Sequence, residues 1–263
     1  MQQLEFELIS VFTAEERRCL GNISAVLWLD QPLPKVEMQA IAADLNQPAS
    51  TFLWKENDQI QIRWFAPDGE ISLCGHGTAA AVVWLQRHRK METLHYQAGQ
   101  VEGQLNDAKF SIDLEPIEII DHGNAPAGLA EALGVPVLDY FSTRNKDIVL
   151  VENEQLLRSM QPRWQELAQL APFGYAVTAP GESVDFVSRT LVPKVKQLED
   201  HATGSSHAAL FPFWAERISK KQMTARQLSP RVGFFKGEMG LSKIRLSGQF
   251  RIIAQGLVNR ISR

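Results

Sequence analysis

Only two cysteines, Cys19 and Cys74, occur in the 263 residues of the chain. Two thiols cannot build a disulfide framework, so the small stapled folds of secreted domains are excluded. The six histidines are scattered without metal-ligand spacing, and no metal site is expected. No uncharged apolar run approaches the length of about 18 residues that a membrane span needs. The opening stretch MQQLEFELIS lacks a basic segment followed by an apolar one, so no signal peptide is expected. Neither sign of charge dominates: Lys plus Arg is 27, Asp plus Glu is 30, and the formal net charge is -3. No basic excess points to nucleic acid or to an anionic membrane. The expected location is the cytoplasm.

The composition that remains is that of a globular protein, 44% hydrophobic and 22% charged. At about 150 residues per domain the length suits one large domain or two small ones. Residues 3–12 read as an opening strand. Asn22 or Ser24 is expected to cap a short apolar segment through Leu29, and Val36–Leu45 has helical spacing. Thr51–Trp54 and Ile60–Phe65 read as strands around the turn Glu56-Asn57-Asp58-Gln59. Strands follow at Thr93–Tyr96, Gly99–Leu105 and Lys109–Leu114. Pro116 and Asp121–Pro126 suggest a crossover between domains. The second half reads as short helices at Gly128–Leu133, Glu154–Met160 and Arg163–Ala171. Its strands are expected at Asp147–Val151, Tyr175–Ala179, Val184–Arg189, Gly233–Lys236, Lys243–Leu246 and Phe250–Gln255. The basic run Arg87-His88-Arg89-Lys90 reads as a helix C-terminus.

One event happens twice. Cys74-Gly75-His76-Gly77-Thr78 is a polar glycine loop that runs straight into the apolar Ala79–Leu85. Thr203-Gly204-Ser205-Ser206 runs likewise into His207–Trp214. The repetition implies a duplicated α+β unit, each copy a curled mixed or antiparallel sheet around one central buried helix. The expected domains are 1–116, completed by a last strand in 250–263, and 117–249.

A helix N-terminus carries unpaired N–H groups and favours an anion. Gly75, Gly77 and Gly204 allow close backbone approach. Two such termini would suit a small carboxylate-bearing molecule, with Thr78, Thr203, Ser205 and Ser206 beside it. The plainer alternative is two tight turns capped by Thr78 and Ser206. Cys74, His76, Asp200 and the adjacent His201 are the candidate proton carriers. The loops match neither a dinucleotide fingerprint nor a phosphate-binding loop, and Gly204-Ser205-Ser206 lacks the pattern of a serine-hydrolase elbow. Trp84, Trp214, Phe211 and Phe213 read as core. Arg189 reads as the member of an internal salt bridge rather than a ligand contact.

An ordered series of short matches extends over nearly the whole chain. It includes Gly21-Asn22 with Ala25-Val26, Ser50-Thr51-Phe52, and Phe65-Ala66-Pro67 with Glu70. Leu73-Cys74-Gly75-His76-Gly77-Thr78 and Asp185-Phe186-Val187-Ser188-Arg189 follow. Glu199-Asp200, Thr203-Gly204-Ser205 and Ala225-x-Gln227-x-Ser229-x-Arg231 complete it. On these residues the chain resembles the phenazine-biosynthesis PhzF-like family, within the diaminopimelate-epimerase-like fold. The resemblance implies two similar domains with an active-site cleft between them, proton transfer without a cofactor, and a homodimer. Cys74 matches the first cysteine of the two-cysteine epimerases, and Thr203 stands in place of the second. His76, Asp200 and Ser205 match polar residues of the PhzF-like branch. That branch's glutamate position is occupied by Ala49, its proline after the aspartate by His201, and the proline of its Gly-Asn-Pro by Ile23. The resemblance therefore implies an isomerase or epimerase with a substituted base, His201, Cys74 or Asp200. The alternative is a small-molecule-binding or protein-interaction member of the same fold.

Overall fold

The turn at 56–59 shows how local chemistry sets the sheet. Asn57 and Asp58 take left-handed backbone, with φ of 49° and 60°. That geometry joins two antiparallel strands in a tight hairpin, and Asn and Asp tolerate it best after glycine. The pairing runs in register from Glu56 with Gln59 to Ser50 with Phe65. The computed structural model describes residues 3–89 and 93–260. It divides into two compact units, Met1–Leu114 with Ser247–Arg263, and Glu115–Leu246.

In the first unit, β1 (Gln3–Thr13), β2 (Asn22–Leu29), α1 (Lys35–Leu45), β3 (Ala49–Glu56), β4 (Gln59–Ala66) and β5 (Gly69–Ile71) lead to α2 (Gly75–His88). Strands β6 (Thr93–Tyr96), β7 (Gly99–Asn106) and β8 (Lys109–Leu114) follow. In the second unit, β9 (Ile119–Gly123), α3 (Leu129–Leu133), β10 (Asp139–Thr143), β11 (Asp147–Leu150), α4 (Glu154–Ser159) and α5 (Trp164–Gln169) come first. Then come β12 (Tyr175–Pro180), β13 (Phe186–Leu191), β14 (Glu199–Asp200), α6 (Gly204–Ile218), β15 (Gln222–Gln227) and β16 (Gly233–Met239). The last strand, β17 (Ile244–Asn259), belongs to the first unit from Ser247 onward.

The first unit's strand pairings close on themselves, from β17 through β1, β2, β3, β4, β6, β7 and β8 back to β17. The sheet is mixed: β2 with β3 and β4 with β6 are the parallel pairs. Helix α2 packs against β1, β2, β3, β7 and β8, and Ala79–Val83 on it are buried on every side. Helix α1 covers the other face with Met38, Ile41 and Ala42 in a cluster that includes Leu27, Phe52 and Phe65. The second unit also has a mixed sheet with a central helix. Its parallel pairs are β11 with β12 and β13 with β15, and α6 packs on β12, β15 and β16.

A glycine admits each central helix. A Cβ at Gly103 on β7 would lie 2.4 Å from Val82 Cγ2, and one at Gly237 on β16 would lie 2.3 Å from Phe211 Cε1. Val82 comes seven residues after the first residue of α2, and Phe211 seven after the first of α6. The two halves have low identity but share the point where helix meets strand.

Several expectations needed correction. The segment after Asn22 is a strand, because β2 is buried on both faces and so shows no alternation. Residues 121–123, read as crossover, are the end of β9. The strands expected at 243–246 and 250–255 are one strand of 16 residues, β17. There Gly248 lets the backbone of Phe12 approach, rather than making a turn. Strands β10 and β15 were not expected; DYFST and QMTARQ carry too many polar residues to read as strands. Trp84 is half-buried and stacks on Trp28 with centroids 5.7 Å apart, whereas Trp214, Phe211 and Phe213 are core. Arg189 is internal, with Nε and Nη2 each 2.8 Å from the Glu199 carboxylate and Nη1 2.7 Å from the Met160 carbonyl. Of the basic run, Arg87 and His88 do end α2; Lys90, like residues 261–263 of the expected last strand, lies outside the described residues.

Because the Phe211 ring fills the space above Gly237, Gly237→Ala should cost about 1–3 kcal/mol of stability. Denaturant unfolding measures this. Phe211→Leu should cost less in the Gly237→Ala background than in the wild type, since the two residues share one contact. Strict additivity would show that the ring can give way.

Candidate active site

The glycine loops expected before the central helices are their first turns. Helix α2 begins at Gly75 and α6 at Gly204, so the N-caps are Cys74 and Thr203 rather than Thr78 and Ser206. Thr78 instead donates its hydroxyl to the Cys74 carbonyl at 2.8 Å. Ser206 Oγ and Thr190 Oγ1 are 3.0 Å apart. The first bond closes the opening turn of α2 on itself, and the second ties α6 to β13.

In the first unit, Cys74 takes extended backbone and its Sγ accepts the Gly77 N–H at 3.4 Å. Sulfur thus does the work usually given to a serine or aspartate oxygen. The first turn sits tightly on the sheet. A Cβ at Gly77 would lie 2.6 Å from Trp64 Cδ1, 2.8 Å from Thr51 Oγ1 and 3.1 Å from Cys74 Sγ. His76 follows, buried like Cys74. Its Nδ1 lies 3.2 Å from Asn22 Nδ2 and 3.5 Å from Cys74 Sγ. Asn22 Oδ1 accepts the Ile23 N–H at 3.0 Å, which leaves Nδ2 facing the histidine. An amide nitrogen only donates, so Nδ1 of His76 accepts, and the proton of the neutral ring sits on Nε2. A thiol therefore stands beside an imidazole nitrogen that carries no proton. Ala49 opens β3, fully buried, and its carbonyl accepts from Ser24 Oγ at 3.2 Å. Its side chain carries no proton.

In the second unit, the turn before α6 is held by side chains. Asp200 Oδ1 accepts the His201 N–H at 2.9 Å, and Oδ2 accepts the Thr203 hydroxyl at 2.7 Å. With its hydroxyl so engaged, Thr203 makes no side-chain cap to α6. Gln227 Oε1 accepts the Thr203 N–H at 2.8 Å, and its Nε2 donates to the Asp200 carbonyl at 2.6 Å. Ser229 Oγ donates to the His201 carbonyl at 2.7 Å. Residues 225–231 therefore act as a bracket for the 200–203 turn. The His201 Nδ1 atom is buried without a hydrogen-bond partner. Burial, helped by Arg231, holds its pKa below the usual 6.5, against the opposing pull of Asp200 and Glu199.

Cys74, Gly75, His76, Gly77 and Thr78 thus share the α2 terminus in one unit. Asp200, His201, Thr203, Gly204, Ser205 and Ser206 share the α6 terminus in the other. Two further residues join the second group. One is His207, whose Nδ1 donates to the Thr203 carbonyl at 2.9 Å while its ring stacks on Phe235. The other is Lys146, buried, with Nζ 3.1 Å from Ser205 Oγ. Nothing in Asn145-Lys146-Asp147 marks that lysine, because a turn lysine normally reads as solvated. Among the described residues no group of three His, Cys, Asp or Glu is placed to hold a metal ion, and no helix is long and apolar enough to cross a membrane.

Burial pushes His207 down to about 4, against the smaller opposing effect of its bond to the Thr203 carbonyl. The folded state therefore binds fewer protons than the unfolded chain between about pH 4 and 6.5. Stability should fall as pH drops through that window, by up to about 3 kcal/mol from this group. Unfolding free energies of wild type and His207→Gln, measured across pH 4–7, check this. The variant should lose up to one proton equivalent from the slope.

The family model described as phenazine biosynthesis-like protein matches residues 9–249. A Pseudomonas aeruginosa protein described as an uncharacterized isomerase is 33% identical over 261 residues, covering 97% of this chain and 98% of that protein. The crystal structure of a PhzF-family phenazine biosynthesis protein from Enterococcus faecalis superimposes with a TM-score of 0.89 at 32% identity, over 98% of this chain and 100% of that one. A hydroxyproline epimerase from Agrobacterium vitis, 12% identical, matches with a TM-score of 0.64 over 97% of this chain and 92% of its own, a likeness of fold alone. With an epimerase-like mixed-sheet fold and a family match over most of its length, the chain belongs to the phenazine biosynthesis-like (PhzF) family.

Proposed function

We propose that the chain is an isomerase or epimerase that moves a proton on a small carboxylate-bearing metabolite. The Cys74–His76 pair carries this reading. A buried thiol 3.5 Å from an accepting imidazole nitrogen is a proton carrier that needs no glutamate. The names of the relatives, several of them isomerases, agree with it. In this reading His76 Nδ1 takes the Cys74 proton. The N–H of Gly77 and the α2 terminus stabilise the thiolate that forms. The thiolate abstracts a proton from a carbon made acidic by the substrate's unsaturation or carboxylate. The electron pair delocalises into that group, and the proton returns to another carbon or another face. The N–H groups of Gly204, Ser205 and Ser206, which lack a side-chain cap, suit a carboxylate. Asp200 acts on the backbone of this turn, so its part is to shape the carboxylate site.

Ala49 favours a second reading, in which the chain binds such a molecule without turning it over. Solvent-deuterium incorporation separates the two. The protein is incubated in heavy water with small amino acids, hydroxy acids and cyclic dienyl carboxylates, and masses are read. We expect label in one compound with wild type. Cys74→Ala should lower the rate by about 10²–10⁴-fold. Asp200→Asn should weaken substrate binding more than turnover. Label that enters at the wild-type rate with Cys74→Ala would remove the thiol from the mechanism. Ligand-induced thermal stabilisation without label would leave the binding reading.

A further inference from the structure

Lys146 is placed by a turn that fixes its backbone. Thr143 Oγ1 donates to the Lys146 carbonyl at 2.9 Å and accepts the Asn145 N–H at 3.1 Å. The Thr143 N–H donates to Asp147 Oδ1 at 2.8 Å. The side chain runs inward to the first turn of α6, where Nζ meets Asn145 Oδ1 at 2.5 Å and Ser205 Oγ at 3.1 Å. An ammonium group has three protons and no lone pair. In the contact with Ser205 the serine oxygen must accept. Its own proton is then directed elsewhere, and among the described residues no group accepts it. Ser205 is only 6% exposed. A buried hydroxyl that is polarised by an ammonium and still has its proton to give is one arm of an anion receptor.

We propose that Lys146 is a positioning residue that turns the Ser205 hydroxyl, as a donor, toward a carboxylate at the N-terminus of α6. It thereby selects an ionised carboxylate over a neutral amide of the same shape. This rests on the reading of α6 as the carboxylate end of the site. It adds a residue that neither the motifs nor the family resemblance marks. An ammonium beside the hydroxyl strengthens the hydroxyl as a donor, and its charge favours an anion over a neutral group.

The test uses acetate and acetamide as probes at constant ionic strength. Each is titrated into ¹⁵N-labelled full-length protein while the backbone amides of Gly204 and Ser205 are followed. Wild type should show a saturable response to acetate and little to acetamide. Lys146→Met should weaken acetate by roughly tenfold or more, and Lys146→Arg should restore most of the loss. In a Ser205→Ala background Lys146→Met should weaken acetate much less. If Lys146→Met does not fold, Lys146→Gln, which keeps a donor but not the charge, should show the same loss of acetate-over-acetamide preference. Wild-type affinity for acetate in folded Lys146→Met or Lys146→Gln would overturn the proposal alone. So would a loss of equal size with and without Ser205. Absence of any saturable acetate response in wild type would overturn the carboxylate reading of α6, and this inference with it.

Discussion

The close approach of a central helix to its own sheet is the constraint from which the rest of each unit follows. It is met by leaving side chains out. Gly103 makes room for Val82, and Gly237 makes room for Phe211. Gly77 lets the first turn of α2 settle on Thr51 and Trp64. A helix seated this deeply must be apolar on all sides along its length. It must also find partners among the strands for its polar N-terminal groups. The polar residues of the chain that are buried are concentrated there for this reason. Asn22, Ser24, Thr51 and His76 gather around one terminus, and Ser205, Gln227 and Lys146 around the other.

The two termini have been given different chemistry. At α2 the cap is a sulfur atom, and the neighbouring histidine is oriented by an amide whose own oxygen is fixed by the backbone. That set suits proton movement. At α6 the threonine hydroxyl is drawn away from the helix by Asp200, and the first-turn N–H groups have no side-chain cap. That set suits an anion. A duplicated unit that kept its packing and changed its caps accounts for both. It also accounts for the place of Ala49, whose carbonyl holds Ser24 while its side chain contributes only volume.

Much of this was legible in the sequence, and the failures have physical causes. The glycine-then-apolar segments at 74–85 and 203–214 located both central helices, because nothing but a buried helix is apolar all round for so long. Their true starts were missed, because Gly, His, Ser and Thr are weak helix formers and read as loop. The hairpin at 56–59 was plain from Asn57-Asp58. Strand β2 was obscured by burial on both faces, and β17 by a glycine that serves close packing. The role of Gln227 was foreshadowed only by the family resemblance. Lys146 left no trace, because what matters about it is where a long side chain ends, and sequence spacing does not encode that.

The account depends most on the protonation of one ring. His76 must present an unprotonated Nδ1 to Cys74 and hold its proton on Nε2. Long-range ¹H–¹⁵N correlation of the histidine rings near neutral pH, with His76 assigned by His76→Gln, reads this directly. The account predicts a His76 Nδ1 shift typical of an acceptor nitrogen and an Nε2 shift typical of N–H. A proton found on Nδ1 would contradict it, because Nδ1 could then neither accept from Asn22 Nδ2 nor take the Cys74 proton.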